Sequence, residues 1–180
     1  MRRLLLAAAL TAALAGCGGS SSTSGRQLSS NEAPAPSAAA SCVPASPVAE
    51  AAAGTTDLAK KPEVEVPDGP PPCDLVIGDI VPGTGAAAKA GDMLTMKYVG
   101  VLYATGKQFD ASWDRGQDFT FGLGAQQVIQ GWDQGLVGMK VGGRRQLIIP
   151  PQLGYGDQGA GADIPPGATL IFVVDLVKIG

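Results

Sequence analysis

The chain has no histidine. That absence removes Ser-His-Asp and Cys-His catalysis and most zinc sites together. Cysteine is scarce: the three are Cys17, Cys42 and Cys73. All precede the aromatic-bearing region, so a packed domain there has no thiolate nucleophile. Aromatics are only 5% of residues, and all nine lie from Tyr98 to Phe172, so the packed core is C-terminal. There is no basic excess either. With 13 Lys and Arg against 16 Asp and Glu and a pI near 4.8, nucleic acid is not the expected partner. The Arg144-Arg145 pair is too small for a basic patch. VGGRR and GYGDQGAG carry glycines but lack the strand-to-helix context and lysine of a phosphate loop. The carboxylates Asp110, Asp114 and Asp118 are scattered through what reads as loop or strand edge. An enzyme of this composition needs a reaction without a strong nucleophile, and no cofactor is expected.

No long apolar run is present. The longest, residues 4–15, covers about 18 Å as a helix, short of a ~30 Å hydrocarbon core. Preceded by Arg2 and Arg3, it reads as a secretory leader over residues 1–16. Leu14-Ala15-Gly16-Cys17 resembles a bacterial lipobox, in which the cysteine carries the lipid. The alternative is an ordinary cleaved leader with an incidental cysteine. Removing Arg2 and Arg3 leaves 11 basic against 16 acidic side chains, a net of −5. Nine of the 14 prolines fall between residues 34 and 72, among Ala, Ser and Gly. Such a composition buries too little apolar area to offset chain entropy. Residues 17–72 are therefore expected to be a disordered tether and residues 73–180 the single folded domain. In an exported protein Cys42 and Cys73 could pair, pinching the tether against the domain, or remain free thiols.

Within the domain, alternation marks strands in DLVIGDI, MLTMKYVGVLY, QFD, DFTFG, RQLII and residues 169–179. In the second, Leu94, Met96 and Tyr98 share the inner face; in the last, Leu170, Phe172, Val174 and Leu176 do. QQVIQGWDQGL places Val128, Ile129, Trp132 and Leu136 at helical spacing. Gly131 and Gly135 weaken that helix by about 1 kcal/mol each and are expected to let sheet backbone approach. Short turns and one helix indicate an α+β fold with an antiparallel sheet wrapping that helix. Most of the aromatic side chains point inward. Core packing explains Phe121 and Phe119 equally well, but a phenol needs a partner when buried, so Tyr98 and Tyr155 suggest a site. Tyr155 also sits in a long glycine-rich loop.

The motifs GKQFDAS, VIQGWDQGLVGMKVGGRRQLIIP, GYG and IPPGATLIFVVDL, in that order, resemble the FKBP-type peptidyl-prolyl cis-trans isomerases. The likeness covers about residues 74–179. It implies a half-barrel of about five strands around one short helix, with a pocket between helix and sheet. It also implies roles: Trp132 as pocket floor; Tyr98, Phe109, Phe119 and Phe172 as walls; Val128 and Ile129 on the rim, with the Ile129 N–H as donor. Asp110 and Tyr155 match the polar pocket groups, Arg115 a basic residue near Asp110, and Ile164 an apolar flap residue. Proline-containing polypeptides and rapamycin-type macrolides are the implied ligands. Ala160 and Asp163 depart from the pattern, and Trp113 is an extra aromatic near Asp110. A module that grips proline segments without turnover is the alternative; retention of Tyr98, Asp110, Trp132 and Tyr155 favours the enzyme.

Overall fold

The computed structural model describes residues 42–44 and 56–180, all within one unit, Ala38–Gly180. The expected leader, Cys17 and most of the expected tether lie outside the described residues. Six strands form one antiparallel sheet: β1 Val76–Val81, β2 Met93–Leu102, β3 Gln108–Ala111, β4 Phe119–Gly122, β5 Arg144–Ile149 and β6 Leu170–Ile179. The order is β1-β5-β6-β2-β3, with β4 also pairing β2. Two short α-helices, α1 Ser112–Arg115 and α2 Gln130–Gly135, and two 3-10 turns, Pro151–Leu153 and Gly156–Gln158, complete the described domain. Among the described residues no helix is long and apolar enough to cross a membrane.

Period-two alternation sorts the side chains onto two faces. The inner face gathers Leu94, Met96, Tyr98, Leu147, Phe172 and Val174, and Trp132 and Leu136 of the α2 region pack on it. The outer face gathers Val76, Val99, Val101, Ile148 and Ile171. Register fixes the sorting, because β2 and β6 pair Tyr98 with Val174 and Gly100 with Phe172. A one-residue slip would exchange the faces.

The helix α2 is shorter than its apolar spacing suggests. It begins at Gln130, and Ile129 is an extended cap with φ −62° and ψ 150°. Val128 and Ile129 therefore belong to the preceding loop. The glycines also act differently from expectation. A Cβ on Gly131 would lie 2.5 Å from the Ile149 side chain, and one on Gly135 would lie 2.7 Å from Leu147. They admit side chains of β5, not sheet backbone. Arg145 then closes the helix end, donating to the Gly135 carbonyl at 2.8 Å while its other edge pairs with Asp79.

Residues 56–72 differ most from the composition reading. They run as a strap over the outer face, where Val64 and Val66 pack on its cluster. Arg144, fully buried, pairs with Asp175 at 2.5 Å and donates to the Asp57 and Lys60 carbonyls. At the far end Cys42 and Cys73 are joined as a disulfide, and Val43 bridges to Pro72. The alternative left open by sequence closes in favour of the bridge.

Candidate active site

A pocket of about 160 Å³ opens between α2 and the inner face, lined by Tyr98, Phe109, Asp110, Phe119, Gln127, Val128, Ile129, Trp132, Tyr155 and Phe172. All but Gln127 are residues the sequence nominated. Its volume is below the ~300–1,000 Å³ of pockets that enclose drug-sized ligands. It suits one ring, with the rest of a ligand lying across the rim.

The rings meet edge to face. Tyr98 and Phe172 stand 5.3 and 5.2 Å from Trp132 at 84° and 85°, and Phe109 meets Phe172 at 5.4 Å and 85°. Such pairs contribute about 0.5–1.5 kcal/mol each beyond area burial, which holds the walls without filling the hole. Gly100 makes room for them: a Cβ there would lie 2.6 Å from the Phe109 ring and 2.7 Å from Phe172. Sequence reasoning passed over Gly100, although a glycine amid a β-branched strand is a signal of close approach. Trp132 is 3% exposed, and its indole N–H is buried without a partner among the described residues.

The rim is built by side-chain to backbone bonds. Asp133, in the first turn of α2, accepts the Gly124 N–H at 2.8 Å and the Gln126 N–H at 3.3 Å. Gln127 accepts the Gly122 N–H at 2.9 Å. Together they fix the loop that presents Val128 and Ile129. These two polar residues were not nominated; their spacing from the tryptophan carries no signal without the loop geometry. Among the described residues no acceptor takes the Ile129 N–H.

At the mouth, the Tyr98 hydroxyl donates to Asp110 at 2.5 Å and accepts from Arg115 at 2.7 Å, while Arg115 also pairs with Asp110. Burial, then the bond to Asp110, pushes the Tyr98 phenol up to about 12. It stays a neutral donor. Tyr155 is 40% exposed; desolvation and the Asp110 charge push its phenol up too. Arg115 itself does not line the pocket. Nor does Ile164, which is 8% exposed and packed in the inner core behind the loop. Asp163 is paired with Lys107 at 2.9 Å, and Trp113 lies on the outer face. Among the described residues no group of three or more Cys, Asp or Glu is placed to hold a metal.

An aromatic well with rim donors and no nucleophile matches a known family. The family model described as FKBP-type peptidyl-prolyl cis-trans isomerase matches residues 85–177. The chain belongs to this isomerase family. The FK506-binding protein of Streptomyces anulatus is 60% identical over 121 residues, spanning 67% of this chain and 98% of that protein. The probable FK506-binding protein of Corynebacterium glutamicum is 52% identical over 119 residues, spanning 66% and 98%. The crystal structure of AtFKBP13, 40% identical, has a TM-score of 0.56 and covers 59% of this chain and 93% of that one. The isomerase family accordingly accounts for the sheet, the short helix and the pocket between them.

Proposed function

We propose that this isomerase acts on exported polypeptides from the outer side of a membrane, held by a lipid on Cys17. The leader-like residues 1–16 and the lipobox-like Leu14-Ala15-Gly16-Cys17 support export and anchoring. Mass spectrometry of the mature N-terminus tests this: a diacylated Cys17 is expected, and an unmodified cysteine or an intact leader would remove it.

The chemistry rests on the pocket. Rotation about an X–Pro bond loses amide resonance, a barrier of ~18–20 kcal/mol. At the twisted geometry the imide carries less charge on oxygen. A water-poor aromatic well therefore penalises it less than it penalises the planar form. With the prolyl ring over Trp132 and its edges against Tyr98, Phe109 and Phe172, the well favours the twisted imide. The Ile129 N–H and the Tyr155 hydroxyl hold carbonyls of the flanking residues. Tighter binding of the twisted than of the planar form is itself the catalysis, and no proton or covalent bond changes hands. The single observation that carries this reading is an open well in which Tyr98, Phe119 and Phe172 stand edge-on to Trp132 and Phe109 stands edge-on to Phe172. A rapamycin-type macrolide fits the same well and rim.

A proline-limited peptide isomerisation assay on the full chain tests it. Acceleration, abolished by a rapamycin-type macrolide, is expected; a macrolide that binds without slowing turnover would contradict one shared site.

A further inference from the structure

The strap and the pocket lie on opposite faces of the sheet, yet one short helix contacts both the strap and two residues that line the pocket, Tyr98 and Asp110. Helix α1 supports Tyr98 at two points. The Ser112 hydroxyl, 1% exposed as a residue, accepts the Tyr98 backbone N–H at 2.9 Å. Arg115, three residues on, donates to the Tyr98 hydroxyl and pairs with Asp110. The strand β3 that carries Phe109 and Asp110 runs directly into α1. Four residues cannot hold a helix by themselves, because nucleation is unfavourable and a single turn gains few bonds. Its placement must come from tertiary contacts.

The strap supplies them. Asp114 is held through both oxygens, by Lys61 of the strap at 2.6 Å and by Gln108 of β3 at 2.7 Å. Trp113 packs on the outer cluster that Val64 and Val66 of the strap also cover, with Lys97 4.5 Å over its ring. Asp114 thus joins the strap, α1 and β3 at one carboxylate, next to the arginine that orients the mouth of the pocket.

We propose that Lys61 is a positioning residue for the isomerase pocket: through Asp114 the strap fixes α1, and α1 fixes Tyr98 and Asp110. Lys61 itself touches nothing in the pocket. This rests on the isomerase reading, and the test separates the two.

In the full chain, Lys61→Ala is expected to lower kcat/KM about two- to fivefold, the range open to a partly exposed ion pair. The loss falls mainly in kcat, because orientation of the walls and not uniform affinity is disturbed. Lys61→Arg restores activity. Val76→Ala, in the outer cluster at the β1 edge and remote from α1, lowers the unfolding midpoint and leaves kcat/KM unchanged. In an Arg115→Lys background, Lys61→Ala costs less than it does in the wild type, because both act on the same pair. Additive losses, a Lys61→Ala variant at wild-type activity, or a Val76→Ala variant as impaired as Lys61→Ala would each overturn the inference. A wild-type chain without isomerase activity would instead overturn the reading beneath it.

Discussion

The two faces of one sheet are finished in different ways. The outer face is closed: Val64 and Val66 of the strap lie on it, and Arg144 with Asp175 holds the strap's carbonyls from beneath. The inner face is left open, since α2 spans only Gln130–Gly135 and its rings meet by their edges around a hole. Both faces come from the same alternation, so apolar patterning alone does not say which will bind. What differs is the cover. A strap laid over the sheet closes a face, whereas a helix of under two turns stands on one spot and leaves a well beside it.

The sharpest way to break this contrast is at Arg144. Arg144→Met leaves Asp175 buried without its main partner and releases the Asp57 and Lys60 carbonyls, so a loss of about 3–5 kcal/mol is expected. Urea denaturation measures it, and a loss under about 1 kcal/mol would show that the closed face does not depend on this pair. Burial already pushes the Asp175 carboxyl up against the pull of Arg144. A raised folded pKa gives stability that is present at acid pH and lost as pH rises. The deficit of the variant should therefore shrink on acidification.

Next in size is the disulfide. Cys42 and Cys73 are 31 residues apart, and the chain-entropy account allows up to about 3–4 kcal/mol for such a loop. The Cys42→Ser, Cys73→Ser double variant should show faster amide exchange in residues 56–73. Unchanged exchange there would mean that the other strap contacts suffice.

On the open face the expected effects are on activity. Trp132→Leu keeps an apolar floor but loses the indole against which Tyr98 and Phe172 stand. A fall of at least about tenfold in kcat/KM, ~1.4 kcal/mol, is expected with cooperative unfolding retained. Tyr98→Phe removes a hydroxyl that Asp110 and Arg115 share, and about 1 kcal/mol, or roughly fivefold, should follow. Wild-type turnover in either variant would move the site away from this well.

How much of this was readable depends on where the information sits. The inner faces of β2 and β6 were legible because Leu94, Met96 and Tyr98, and Leu170, Phe172 and Val174, alternate over long strands. The helix was overextended because Val128 and Ile129 keep its spacing within a loop that Asp133 and Gln127 hold. Those bonds leave no periodic trace. The strap was misread as tether because proline-rich composition outweighed a short signal, Glu63-Val64-Glu65-Val66, whose alternation matches a strand-like cover. Arg144 drew notice only with Arg145, as a pair too small for a basic patch. In a strand covered on both sides, an arginine is tolerated only with a carboxylate of its own, and Asp175 stands opposite it in the register. The family motifs supplied what alternation could not, namely which inward rings leave a space between them.

The smallest expected effect is the one most diagnostic of mechanism. The chain has no histidine, and the Tyr98 phenol is raised to about 12 from 10.0 by burial and by its bond to Asp110. Since the folded value lies above the unfolded one, the stabilisation by the neutral phenol is complete below about pH 10 and fades only as pH climbs towards 12. Tyr98 therefore keeps the same charge throughout the neutral range. If the well works by fitting the twisted imide, with no proton transferred, kcat/KM should vary by less than about twofold between pH ~6 and pH ~9. A bell-shaped profile centred near neutrality would require an acid and a base at the imide. Differential binding in the open well would then no longer account for the rate.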